Sequence, residues 1–432
     1  MKGRTVPRGA VAVLLAAIIL GVPQGHLQGA GSPAQATDLL SAVTLGQFYG
    51  QGRYRFEEYE QASTAAAPIV GVGKASTFRV DLGYRTAPFD GLSFFADLNG
   101  VFAVGSDLYR IATLSSQNKV GFPTINDPTG TDLHQLELVW SRAGSPVRFK
   151  IGRDELQLNN GRFIGNSLWR QTPQTVDLAQ VGLSTGGGLE LAYTYMARVH
   201  RTLGRNATDG TLSMDSHLAT AGWSRSGVIS ASAYGLWLNY DRPDEWIYST
   251  SSLGLRVTGP YPINADWSVV YTADFARQRN FAHNPNRVSE PYWDYELGVS
   301  FRGESALLGW TVLGARSATD ILTTPLSPPF NGWVEKFGPN PAVAAGAGEN
   351  IRYASLSGPV PAVPGLTHVL VYYEYYADTT KAHFGSEVDF ALEWKAAPIG
   401  KALTLGLRFG AYRADTLYSN CLRDSIYAVY AF

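Results

Sequence analysis

The stretch Arg423-Asp424-Ser425-Ile426-Tyr427-Ala428-Val429-Tyr430-Ala431-Phe432 decides how the chain is read. Counting back by twos from its end gives Phe432, Tyr430, Ala428 and Ile426 on one side. A period of two belongs to a β-strand, whose successive side chains point to opposite faces. Closing strands that end on an aromatic are common in membrane β-barrels. In lipid a barrel has to pair its last strand with its first, because an open edge leaves backbone groups unsatisfied. The expected partner lies near Leu45 to Glu57. The last strand of a soluble sheet carries the same period, so the rest of the chain must choose.

Working outward, the alternation recurs. Val388, Phe390, Leu392 and Trp394 alternate with Glu387, Asp389, Glu393 and Lys395. Leu403, Leu405, Leu407 and Phe409 alternate with Thr404, Gly406, Arg408 and Gly410. Trp293 to Phe301 and Phe78 to Tyr84 behave likewise. In a wide membrane barrel the apolar set faces lipid and the charged set lines the lumen. In a soluble sandwich the two are exchanged. Gly (46), Tyr (23) and Trp (10) are abundant while charge is only 16%, which suits glycine-rich strands with aromatic belts.

The N-terminus reads as a secretory signal peptide. Lys2, Arg4 and Arg8 precede an apolar run from Ala10 to Val22, and Ala34-Gln35-Ala36 is a small-residue cleavage site. The expected organisation is therefore a signal peptide over 1–36 and a single barrel domain over 37–432. Without that peptide the formal net charge falls from −1 to −4, which argues against a nucleic-acid partner. A lone Cys421 cannot form an internal disulfide.

Turn residues punctuate the remainder. Short turns are expected at 86–91, 143–146, 184–188, 224–227, 259–264, 302–305, 358–365 and 396–401. Longer connections fall at 61–74, 106–131, 155–175, 200–215, 241–249, 280–290, 317–349, 378–385 and 414–421. Eight turns make nine hairpins, so the prediction is an all-β, antiparallel up-and-down transmembrane barrel of about eighteen strands, with sixteen as the alternative. Short turns belong on the periplasmic side and long loops outside, in a bacterial outer membrane.

The segment IGRDELQLNNGRFIGNSLWRQTPQTVDLAQV (151–181) resembles the conserved stretch of the alginate export family of outer-membrane barrels. FRVDLGYRTAPFDGLSFFADLNGVFAVG (78–105), DPTGTDLHQLELVW (127–140), FNGWVEKF (330–337) and LTLGLRFGAYRADT (403–416) are similar in the same order. The resemblance implies passage of an anionic polysaccharide or oligosaccharide, and periplasmic polysaccharide-synthesis proteins as partners. The alternative is a general or nutrient-uptake porin for small anionic or other solutes, and the remote one an outer-membrane hydrolase.

A channel for carboxylates should display Arg or Lys to its lumen, since the guanidinium fork matches a carboxylate. Alternation places Arg79, Arg148, Lys150, Arg256, Arg302 and Arg408 inside, with Arg53, Arg55 and Arg85. It places Asp81, Asp97, Asp274, Asp294, Glu387 and Asp389 there as well, so a mixed, unselective wall is an equal reading. The connection after Ile151 holds Arg153, Asp154, Arg162, Trp169 and Arg170, and is expected either to narrow the pore or to cap its rim. The loop 317–349, with Asn331-Gly332-Trp333 at its centre, is either a lid or plain surface. The histidines show no metal-ligand spacing. His200, Asp209, Ser213, Asp215 and His217 around one loop are the only hint of hydrolase parts. No enzyme, cofactor or metal is expected.

Overall fold

The computed structural model describes residues 35–65, 68–326, 331–337, 346–396 and 402–432. The expected signal peptide lies almost wholly outside them, as does most of the turn at 396–401. Five strands come first: β1 (Gln47–Gln61), β2 (Gly73–Arg85), β3 (Leu92–Leu108), β4 (Gly130–Ser141) and β5 (Val147–Asp154). β6 (Thr175–Ser184), β7 (Leu189–His200), β8 (Thr211–Arg225), β9 (Ile229–Trp237) and β10 (Thr250–Pro262) follow. β11 (Trp267–Asn280), β12 (Ser289–Phe301) and β13 (Glu304–Leu313) lead to a small hairpin, β14 (Ala315–Ser317) and β15 (Asp320–Ile321). The barrel resumes with β16 (Glu349–Pro359), β17 (Leu366–Tyr376), β18 (His383–Lys395), β19 (Leu403–Ala414) and β20 (Cys421–Ala431).

Leaving out the β14–β15 hairpin, each strand pairs antiparallel with its chain neighbour, and β1 pairs with β20, so the eighteen-stranded sheet closes on itself. The strand number and the alternation of short turns with long loops are those expected from the sequence. Every backbone edge is thereby paired, which a span through lipid demands.

Side-chain exposure fixes which face is outside. Val388 is 39% exposed, whereas its neighbours Glu387 and Asp389 are 1% and 0% exposed. Leu82, Leu98, Leu255, Leu297 and Leu308 all face outward while Arg79, Asp81, Asp274 and Asp294 are buried within. A soluble sheet would have this inverted, so the outer surface is a lipid-facing belt. Aromatic pairs edge it. Phe48–Tyr84 and Trp267–Phe301 lie with centroids 4.6 Å apart toward the short-turn end, and Trp293–Trp310 at 5.7 Å toward the other.

At the seam Phe432 exchanges both backbone hydrogen bonds with Gly50, each 2.9 Å. A Cβ on Gly50 would come within 2.3 Å of the Phe432 ring, so glycine lets the ring lie flat on β1. Just before β1 a short helix, α1 (Leu39–Thr44), starts at Asp38, whose carboxylate accepts from the Ser41 amide at 2.7 Å. Ala42 packs on Ala87 of the first short turn, fixing the start of the chain to that rim.

The lumen is not empty. Ile111 and Ile125 of the β3–β4 loop, Leu156 and Ile164 of the β5–β6 loop, and Leu322 and Leu326 beyond β15 form one buried apolar cluster with wall residues such as Leu236 and Tyr375. These long loops fold inward because their apolar side chains find cover only there.

Candidate functional site

The site is a constriction built where two of these loops meet the wall. Gly152 starts it, at φ 135°, with the position of an added Cβ only 2.0 Å from the Leu136 carbonyl, so only glycine suits this exit from β5. The loop then crosses toward β9–β12. Asn159 accepts from Ser232 Oγ at 2.8 Å, and Phe163 stands edge-on to Tyr292 with centroids 5.2 Å apart. On its return the Gln174 amide donates to the carbonyls of Gly165 (2.8 Å) and Leu326 (2.9 Å), joining the two inward loops.

The returning limb meets β1. Arg53 donates from Nη1 to the Leu168 carbonyl and from Nη2 to the Trp169 carbonyl, both at 2.8 Å. Arg55 also donates to the Trp169 carbonyl. The Trp169 indole in turn receives the guanidinium carbons of Arg408, Arg55 and Arg53 at 3.7, 4.6 and 5.1 Å from its ring centroid. Arg408 also lies 4.8 Å over Trp333. A tryptophan face is the best neutral surface for a cation, so it helps three like charges share one neighbourhood.

Beside them lies a compensated cluster. Arg170 pairs with Glu335 and approaches Glu57 at 3.5 Å and Asp127 at 3.6 Å. Arg55 pairs with Asp127, and Arg423 with Glu57. Arg423 Nη1 reaches Glu335 at 2.9 Å, and the Gln171 amide donates to Asp127 at 2.8 Å. Three arginines thus meet three carboxylates drawn from β1, β20 and three different loops. Burial is tolerable because each charge has a partner.

Two walls of opposite character result. On β19, β20, β1 and β2 the lumen-facing arginines are Arg408, Arg423, Arg53, Arg55 and Arg79. Elsewhere on the ring, β11 and β12 carry Asp274 and Asp294, facing Arg256 at 3.1 and 3.9 Å. On β18 Glu387 and Asp389 hold the second loop, accepting from the Val334 amide (2.9 Å) and the Trp333 amide (3.0 Å).

Of the residues singled out in the sequence, Arg162, Arg170 and Arg408 meet in this constriction, with Arg162 donating to Asn331 at 2.9 Å. Arg79 lines the lumen, bonded to Asp81 at 2.6 Å. Arg148 and Lys150 share the lumen parity of β5, and Lys150 pairs with Asp154. Two placements need correction. Arg153 shares parity with the exposed Phe149 and Ile151 and bonds Asp177 at 2.8 Å, so it stands on the outer face. Arg302, at φ 51° in the β12–β13 turn, pairs with Asp266 at 3.2 Å on the short-turn rim, outside the lumen. The inward parity ends where the strand does. Asp127, Glu335 and Arg423 were missed. Arg423 was legible, because it shares parity with Tyr427, whereas the two loop acids carry no period.

One further cluster invites a metal reading. Asp81, Asp97 and His134 offer three ligand atoms within 4.8 Å. Yet Asp81 is already held by Arg79 and by the Asn99 amide (2.7 Å), and His134 bridges Asp97 (2.8 Å) and Glu155 (3.3 Å). A guanidinium bonded to one ligand opposes a cation, and the histidine instead ties the root of the inward loop to β3.

Against known families and curated proteins the chain finds no match. Solved structures of the same fold do exist. Acinetobacter baumannii OccAB4 aligns over 90% of this chain and 98% of its own, with a TM-score of 0.68 and 12% identity. Pseudomonas aeruginosa OpdL aligns over 90% and 98%, at 0.67 and 14%. A BenF-like porin from Pseudomonas fluorescens Pf-5 aligns over 90% and 99%, at 0.70 and 14%. These neighbours are Occ and Opd proteins and a BenF-like porin, not alginate exporters, which overturns the resemblance to the alginate export family. Several of the segments that suggested it, 78–105 and 403–416 among them, are alternating strands and their turns, which any barrel of this strand number requires. With a lipid-facing belt, aromatic edges and complete closure, the protein is an outer-membrane β-barrel.

Proposed function

We propose that the protein is a passive porin for uptake of small solutes bearing an anionic group, the alternative drawn from the sequence, and that polysaccharide export is not its role. The supporting observation is the tethered constriction. Loops 155–174 and 331–337 are hydrogen-bonded to walls on both sides of the lumen, which leaves little room for a polymer. The seam wall presents the positive field of the buried Arg53, Arg55, Arg79 and Arg408 to a passing carboxylate. Arg53 Nε and Arg79 Nη2 are buried with no hydrogen-bond partner among the described residues, so the positive charge of this wall is incompletely compensated. Asp274 and Asp294 across the lumen favour a solute with a donor or cationic group at its other end. Transport of this kind requires no catalytic step.

Single-channel recording with purified protein tests the reading. A small, anion-preferring conductance that uronate oligomers do not block is expected, with faster liposome entry of small carboxylates than of neutral sugars of equal size. A wide unselective conductance, or none, would overturn it.

A further inference from the structure

The outer face of β4–β8 carries a feature that solute passage does not use. A groove of about 360 Å³ opens there, on the lipid side. The strand register lays it out in rungs. The middle rung runs Leu138, Ile151, Ala179, Tyr195 and His217. The rung below runs Trp140, Phe149, Val181 and Tyr193. Large side chains on either side of the small Ala179 leave a trough, and its lining is apolar except for the lysine and glutamine behind it and the tyrosine hydroxyls.

The rung above is charged. It runs Arg153, Asp177 and Arg198, within two residues of where β5 and β7 give way to long loops. It therefore lies at the outer water boundary. Arg153 and His200 are both committed to Asp177, at 2.8 and 3.0 Å. Arg205 follows in the β7–β8 loop, 62% exposed, with Asp132 at 4.0 Å and Arg153 at 3.9 Å from the same carboxylate. Three guanidiniums thus stand against two carboxylates. Arg198 is exposed and has no ion-pair partner among the described residues.

An apolar trough directly beneath an excess of positive charge, at the outer leaflet, matches a molecule with acyl chains below and an anionic head above. We propose that this face binds a phosphorylated glycolipid of the outer leaflet, with an acyl chain in the trough over Ala179 and a phosphate against Arg198 and Arg205. Arginine suits the phosphate because its donors form a fork. Tyr193 and Tyr195 flank the chain where ring and hydroxyl meet the interface. Asp177 does not repel the head, since Arg153 and His200 already hold it.

Native mass spectrometry of the whole barrel in mixed nanodiscs is the test. The probes are a bis-phosphorylated, multiply acylated glucosamine disaccharide, its dephosphorylated form, and phosphatidylethanolamine. The wild-type barrel should retain the phosphorylated glycolipid over both others. Arg198→Ser with Arg205→Ser should reduce its retention about tenfold, to the level of the dephosphorylated form, since losing a phosphate contact of about 1.4 kcal/mol is a tenfold change. Ala179→Leu, which fills the trough, should reduce retention of both glycolipids alike. Single-channel conductance, read in parallel, should be unchanged in all variants and certifies that the barrel is folded. Equal retention of all three lipids by the wild type, or retention unchanged in a conducting variant of either kind, would overturn the proposal.

Discussion

Trp169 sets the character of the constriction at the scale of single residues. Its carbonyl and its ring are both used by arginines, so it orders Arg53, Arg55 and Arg408 at once. Trp169→Ala should loosen the limb and raise unitary conductance while leaving anion preference in place; unchanged conductance would show that the limb is held by Arg170 and Gln171 alone. Arg423 acts differently. It is buried against Glu57, and removing it leaves a carboxylate within the wall. Arg423→Ala should cost about 3–5 kcal/mol, read as a lower urea midpoint in lipid vesicles. Strand parity alone made Arg53, Arg55, Arg79 and Arg408 legible as lumen residues. Parity also contained the correct side for Arg153, two residues beyond Ile151, but its position in a charged loop-like stretch outweighed that signal. Arg302 failed for the opposite reason, because alternation was carried one step past the end of β12 into a turn.

Elements follow the same division between local and distant causes. Turns and strands were legible because each rests on residues close in sequence: glycine and proline at the turns, a two-residue period between them. The lipid-facing assignment is testable on one strand. Leu255, exposed near the middle of β10, and Arg256, inward beside it, exchange faces within one residue. Leu255→Arg should destabilise the barrel by about 2–4 kcal/mol in reversible unfolding from vesicles. If the loss is under about 1 kcal/mol, Leu255 does not face the hydrocarbon. The long loops were legible only as present. Their inward course depends on Leu326, Asn331, Glu335 and Asp389, far along the chain, and no periodicity encodes such meetings.

Around the described lumen wall, arginines are in excess at the seam and carboxylates on β11 and β12. That separation should make selectivity sensitive to ionic strength. The Debye length falls from about 10 Å at 0.1 M salt to about 3 Å at 1 M. Reversal-potential measurements should show anion preference declining strongly over that range; a constant preference would locate selectivity in direct contacts alone. The architecture was readable from the sequence while the kinship was not, since the demands of an eighteen-stranded barrel recur in chains with different cargo. The seam has a last implication, for evolutionary change. Glu57 and Arg423 join the first strand to the last, and the same two side chains order the constriction through Arg170 and Glu335. A substitution that retunes this wall also strains closure, whereas one at Asp274 or Asp294 leaves the seam untouched. Descendants with new specificities should therefore vary on the far half of the ring, and a mutant library built to retarget the channel should begin there.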